Sequence, residues 1–261
     1  MLPAKQFVVS VGISKTSYAE VVEICHRWIG DRAADPHAAA RCICVTSVHG
    51  IILAKDDPSF ANILNSADIA TPDGMPVVWA LRSFGSAGQQ RVYGPTLMLE
   101  LCRSAADHGH RIYLYGGHKD ALPLLETRLT RRFPGLQIVG WHSPPFRPLT
   151  AEEDQQVQET IRNSRADLIF VGISTPKQER WMFEHRHAFP GAILIGVGAA
   201  FDFHAGRTAQ APAWLQRLGL EWAFRLAMEP SRLWRRYLLL TPRFLPLWLL
   251  QRLKTLRESH L

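Results

Sequence analysis

Asp167-Leu168-Ile169-Phe170-Val171-Gly172-Ile173-Ser174-Thr175-Pro176-Lys177-Gln178-Glu179 decides how the rest of the chain is read. An apolar, β-rich run over Asp167–Val171 ends on a glycine. A Ser/Thr/Pro turn follows, and a helical stretch takes over across Lys177–His187. Strand, glycine turn and helix form the repeating unit of a parallel sheet covered by helices. Outward from this stretch the same alternation recurs. Further strands are read at Phe7–Val11, Cys42–Thr46, Arg111–Tyr115, Gln137–Trp141 and Ala192–Val197, the interior ones bounded by Gly, Ser or Pro. A capping box, Ser17-x-x-Glu20, opens a helix running to Arg32, and Thr96-x-x-x-Glu100 opens another to about Asp107. Pro58–Ser66, Met75–Arg82, Asp120–Arg132 and Ala151–Ser164 also read as helices, with Gly109 and Gly135 where C-caps belong.

The expected fold is therefore α/β: a Rossmann-like, mainly parallel sheet with helices on both faces, plus a basic, Trp-rich helical C-terminal appendage. The composition shifts around 205–214, which sets the expected division at 1–205 for the α/β core and 206–261 for the appendage. At 261 residues, 47% hydrophobic and 20% charged, the chain can bury a sizeable core. Its four cysteines, Cys25, Cys42, Cys44 and Cys102, form no CxxC pair and no Cys/His set with zinc spacing, so they read as buried reduced thiols. The N-terminus has no basic segment leading into an apolar one, so a cytosolic chain is expected.

Charge is concentrated at one end. From Trp214 onward nine Lys/Arg face three acids, which accounts for +6 of the total +7. The same stretch holds Trp214, Trp222, Trp234 and Trp248, four of the eight tryptophans. Arg with Trp and Leu suits an anionic membrane interface. Nucleic acid would use the charge but gives no reason for Leu245-Pro246-Leu247-Trp248-Leu249-Leu250, and nucleic acid is not an expected partner. Residues 237–250 contain Arg243 and two prolines and fall short of the roughly 20 apolar residues a membrane span needs, so the tail is expected to lie on a surface.

Ligands of open α/β sheets bind beyond the carboxyl ends of the strands, so chemistry is sought there. Those ends read Thr46-Ser47-Val48-His49-Gly50, Gly116-Gly117-His118, Gly172 to Glu179 and Gly196-Val197-Gly198-Ala199-Ala200-Phe201-Asp202. Small residues at these positions let a ligand approach backbone N–H groups, which suits phosphates. Asp73, between Pro72 and Gly74 at the start of an apolar helix, is either that helix's N-cap or a carboxylate able to take a proton from a sugar hydroxyl. Gln178 has the donors and acceptors to read a nucleobase or ribose edge. Gly196-x-Gly198 lacks the third glycine of the dinucleotide fingerprint, and no P-loop, HExxH or GxSxG motif occurs. Asp56-Asp57 precedes a helix as a cap and is no metal-chelating pair in a loop.

Taken together, Thr46, Pro72-Asp73-Gly74, Arg91-Val92-x-Gly94, Tyr115-Gly116-Gly117, Pro176-Lys177-Gln178-Glu179, Gly196-Val197-Gly198, Phe201-Asp202 and Gly219-Leu220-Glu221-Trp222-x-x-Arg225-Leu226-x-x-Glu229-Pro230-x-Arg232-x-x-Arg235-Arg236-Tyr237 resemble the WecG/TagA/CpsF glycosyltransferases across residues 40–240. The resemblance implies an inverting, metal-independent enzyme with no cofactor. It would act at the cytoplasmic face of the inner membrane as a peripheral protein, moving a sugar from a UDP-sugar onto a polyprenyl-diphosphate-linked acceptor. Carried over by position, Asp73 is the general base, with Thr46 beside it and His49 near donor or acceptor. Gly94, Gly116, Gly117, Gly172, Gln178, Gly198 and Asp202 would line the donor pocket. Arg225, Arg232, Arg235 and Arg236 would meet the diphosphate. Many members carry asparagine two positions after the threonine, where this chain has Val48. That departure points to glucose from UDP-glucose, as in xanthan-type exopolysaccharide assembly, with transfer of N-acetylmannosamine or its uronic acid as the alternative. A reading of another class is an inert membrane-docked scaffold of a polysaccharide assembly complex. Self-association into a homo-oligomer is compatible with the resemblance.

Overall fold

The computed structural model describes residues 1–258 apart from 33, 34 and 36. The chain opens with β1 (Lys5–Val8), β2 (Val11–Ser14), α1 (Tyr18–Asp31) and β3 (Arg41–Thr46). Next come α2 (Val48–Asp56), α3 (Pro58–Ser66), β4 (Ile69–Pro72), α4 (Met75–Ser83) and α5 (Gly94–His108). The middle alternates β5 (Arg111–Gly116), α6 (Ala121–Arg132), β6 (Gln137–His142), α7 (Ala151–Ser164), β7 (Leu168–Gly172), α8 (Lys177–His185) and β8 (Ile193–Gly196). After α9 (Ala200–His204) the C-terminal segment is helical: α10 (Ala213–Arg217), α11 (Glu221–Met228), α12 (Pro230–Trp234), a π-helical turn Arg235–Leu240, a 3-10 turn Thr241–Arg243 and α13 (Phe244–Glu258).

Six strands form a parallel sheet in the order β4-β3-β8-β7-β5-β6, flanked by helices, as the alternation predicts. The registers are parallel throughout the centre: Ile43 faces Ile195, Ile169 faces Leu194, and Tyr113 faces Ile169. Ile43, Ile112, Leu114, Phe170, Val171, Leu194 and Ile195 are all fully buried. Strands covered on both faces are apolar at successive positions instead of alternating, which is why they stood out in the sequence. The four cysteines are free and buried, and burial pushes the Cys102 thiol up to about 12.

The chain divides into two compact units: Met1–Ser17 with Val45–Tyr93 and Gln210–Leu261, and Tyr18–Cys44 with Gly94–Ala209. Gln210, where the last stretch of the first unit begins, lies within the 205–214 composition shift. The first unit has its own antiparallel hairpin, β1 with β2. Phe7–Val11 was expected as one strand, but Val9 takes φ 59° and the chain reverses there. Two further elements of this unit were not anticipated. Strand β4 is only four residues long and ends on proline, and α2 begins at Val48, directly after Ser47, where a strand-end turn was expected.

In the first unit, Asp57 caps α3 by accepting from the Ser59 and Phe60 backbone N–H groups, as its position predicts. The last helix is tied to the same unit. Arg243 forms a two-bond ion pair with Asp56, the Trp248 indole donates to Ser83 Oγ, and Gln251 accepts from Val9 N–H. No helix among the described residues is long and apolar enough to cross a membrane.

Candidate active site

In the first unit, β3 ends on Thr46 and β4 on Pro72, and two backbone bonds hold the turn that follows. Asp73 N–H donates to the Thr46 carbonyl at 3.0 Å, and Val92 N–H donates to the Pro72 carbonyl at 3.0 Å. Thr46 is 2% exposed and serves this frame through its backbone. The N-cap of α4 is Gly74, at φ 90°, and no side chain caps the helix. Asp73 therefore does not act as the N-cap. Its Oδ1 accepts from Arg91 Nε at 3.1 Å and Nη2 at 3.0 Å. The same Nη2 stands 2.8 Å from Glu221 Oε2, while Tyr93 Oη donates to Glu221 Oε1 at 2.9 Å. The Arg91 guanidinium also lies over the Tyr93 ring, 3.9 Å from its centroid. Burial works against the Arg91 charge, but Asp73 and Glu221 outweigh it and raise its pKa; burial and the two acids push the Tyr93 hydroxyl up as well.

These groups form one wall of a pocket within the first unit. Ser47, the N-cap of α2, and Val48 and His49 from its first turn line it, together with Trp222, Arg225 and Arg236 from the C-terminal segment. Arg236 Nη2 donates to Ser47 Oγ at 3.4 Å. Burial, with the nearby charge of Arg225, lowers the Arg236 pKa against the opposing pull of Tyr237 and Asp73. His49 is pushed down to about 4 by burial and by Arg236, and its Nδ1 is buried with no hydrogen-bond partner among the described residues. At neutral pH it presents an uncharged imidazole. The lining holds two carboxylates, both on Arg91, against three guanidiniums, so the pocket keeps a net positive charge. Such a cavity accepts an anion beside a carboxylate.

Of the sequence-predicted residues, Asp73, His49, Arg225 and Arg236 meet at this pocket. Arg232 is exposed and paired with Glu229 at 2.6 Å, and Arg235 lies over the Trp234 ring at 5.3 Å; neither lines it. Arg91, Tyr93, Glu221 and Trp222 were not singled out for the site, although each lies in or beside a motif that carries the resemblance.

The expected donor residues fall in the second unit. Gly117 N–H donates to the Gly172 carbonyl at 3.0 Å, and a Cβ on Gly116 would sit 2.6 Å from the Gly172 carbonyl carbon and oxygen. Gly116 is thus required by the close approach of β5 to β7, while side chains on Gly117 and Gly172 would meet the Phe201 ring. Gln178 is 2% exposed: its Oε1 accepts from Gly198 N–H at 3.1 Å and its Nε2 donates to Glu179 Oε1 at 2.9 Å. As it stands, the amide fixes the Gly198 turn. Asp202 lies half-buried in α9, where its carbonyl accepts from Arg207 and Thr208 N–H. Gly94 is buried at the start of α5.

A family model described as "Glycosyl transferase WecG/TagA/CpsF family" matches residues 7–258. The chain belongs to this family. Two relatives in the WecG/TagA/CpsF group are each named N-acetylglucosaminyldiphosphoundecaprenol N-acetyl-beta-D-mannosaminyltransferase. One, from Bacillus spizizenii, is 34% identical over 185 residues, which cover 71% of this chain and 70% of the relative. The other, from Bacillus subtilis, is 33% identical over the same shares. The expected family is therefore established, and with it glycosyl transfer as the class of reaction.

Proposed function

We propose that this chain transfers N-acetylmannosamine from a nucleoside-diphosphate donor to a polyprenyl-diphosphate-linked N-acetylglucosamine. Both relatives carry that donor sugar and that acceptor in their names, which favours the aminosugar over the glucose expected from Val48. The observation that carries the chemistry is the Asp73 carboxylate on the wall of a net-positive pocket. Its Oδ1 takes both Arg91 bonds, so the group is oriented and Oδ2 is its proton-accepting oxygen.

In a single displacement Asp73 accepts the proton of the acceptor hydroxyl while that oxygen bonds to the anomeric carbon. The sugar–phosphate bond breaks, and the departing nucleoside diphosphate keeps the electron pair. Arg225 and Arg236 receive the charge that develops on it. One observation favours glucose as a second reading. Val48 lines the pocket where many members have asparagine, which removes an amide that an N-acetyl group could bond.

Turnover of UDP-N-acetylmannosamine and of UDP-glucose against a lipid-diphosphate N-acetylglucosamine decides between them. Product from the first and none from the second is expected; the reverse pattern overturns the aminosugar reading. Asp73→Asn should lower the rate by about 10²–10⁴ with donor binding retained. An inert scaffold would turn over neither donor.

A further inference from the structure

The second unit contains a group of side chains that glycosyl transfer does not use. His26 lies on α1, His108 is the last residue of α5, and His110 follows it before β5. One ring nitrogen from each lies within 4.8 Å of the others. His26 Nδ1 and His110 Nε2 are 3.0 Å apart, and the ring centroids of His26 and His108 are separated by 4.2 Å. Gly109, at φ 71°, reverses the chain while His110 N–H bonds back to the Ala105 carbonyl, so both flanking imidazoles come to the same place. His108 Nδ1 is 2.8 Å from the Ser104 carbonyl. That bond makes Nδ1 the protonated nitrogen and leaves the Nε2 lone pair outward, the arrangement found where a backbone carbonyl orients a metal-bound histidine.

We propose that His26, His108 and His110 bind a divalent transition-metal ion of the zinc type. Zinc–imidazole bonds of about 2.0–2.1 Å place tetrahedral ligand atoms about 3.3 Å apart. The His26–His110 pair already stands near that separation, and the exposure of His26 and His108 lets the third nitrogen close in by side-chain rotation. Imidazole ligands select zinc, copper or nickel over magnesium and calcium, which take oxygen. Three protein ligands leave one position for water. The bound ion would pin α1 to the turn between α5 and β5. Motif spacing does not reveal this set, because His26 lies 84 residues before His110 in the chain.

The test is a zinc titration of the full chain, made without a polyhistidine tag and stripped with a chelator. Isothermal calorimetry should give one zinc per chain, no response to magnesium, and a raised melting temperature on zinc addition. His26→Gln and His110→Gln should each weaken binding by about tenfold or more. The exposed His187→Gln, outside the trio, should leave it unchanged. Cobalt substituted for zinc should show the visible absorption of a tetrahedral nitrogen site. If a His110 variant fails to fold, the exposed His26→Gln decides alone. Binding of equal strength and stoichiometry in wild type and His26→Gln overturns the proposal, as does the absence of a saturable zinc site.

Discussion

At the residue scale, the first unit makes Arg91 serve two carboxylates. Asp73 and Glu221 both meet its Nη2, so the proposed base is oriented by a residue whose other partner lies far along the chain. His49 is the contrasting case, a buried group kept uncharged beside Arg236. Its folded pKa of about 4 lies below the ordinary 6.5, so between those values the unfolded chain binds a proton that the folded chain refuses. Stability from this source is complete above pH about 6.5 and declines as pH falls towards 4, by on the order of 3 kcal/mol across the window. His49→Gln removes that dependence and leaves the other histidines titrating. Urea unfolding at pH 7 and pH 4.5 should show a loss of stability on acidification about 2 kcal/mol smaller in the variant than in the wild type. Equal losses would place the acid sensitivity elsewhere.

At the scale of elements, legibility followed length and burial. The strands of the second unit were readable because each is a short apolar run closed by glycine or a polar turn. The helices Pro58–Ser66 and Ala151–Ser164 were read to the residue, because Asp57 caps the first and Thr150 with Glu153 forms a full capping box on the second. Strand β4 is too short to show a period, and α2 starts inside Val48-His49-Gly50, whose β-branched residue and glycine argue against a helix. Asp73 was marked out by Pro72 and Gly74 on either side, but the choice between N-cap and proton acceptor came from the resemblance. Arg91 was not, since its role depends on Glu221, and pairings at such separation leave no local signal. The C-terminal helix was visible as composition but not as a face. Leu245, Leu249, Leu253 and Leu256 are exposed at helical spacing on α13, while Arg243, Trp248 and Gln251 anchor it to the first unit. An outward leucine stripe on a basic segment has the composition of a membrane-facing surface, the role proposed for this tail from the sequence. Replacing Leu249 and Leu253 together by Glu should lower sedimentation with anionic phospholipid vesicles by about tenfold or more, since each buried leucine contributes about 1.5–3 kcal/mol. Soluble-substrate turnover should be unchanged; unaltered vesicle binding would remove α13 from the contact.

At the scale of the whole molecule, the chain visits the first unit three times, with its last visit supplying Glu221, Trp222, Arg225 and Arg236 to the pocket that holds Asp73. The C-terminal segment is thus part of a pocket wall as well as a candidate membrane contact, and the two roles predict different consequences of removing it. If the segment served only for docking, a chain ending at Ala209 would fail on a vesicle-borne acceptor yet turn over a water-soluble acceptor with a short lipid. The pocket wall argues otherwise. Without Glu221, Arg91 loses one of its two carboxylates and Tyr93 loses the acceptor of its hydroxyl. Without Arg225 and Arg236, no cations from that wall remain to receive the departing diphosphate. Loss of charge stabilisation of this kind costs about 10²–10³ in rate for a single donor. The truncated chain should therefore be inactive on the soluble acceptor too. Intact chain carrying Glu at 249 and 253 should keep full activity on it. Retained soluble-substrate activity in the truncated chain would mean that Asp73 works without the C-terminal wall.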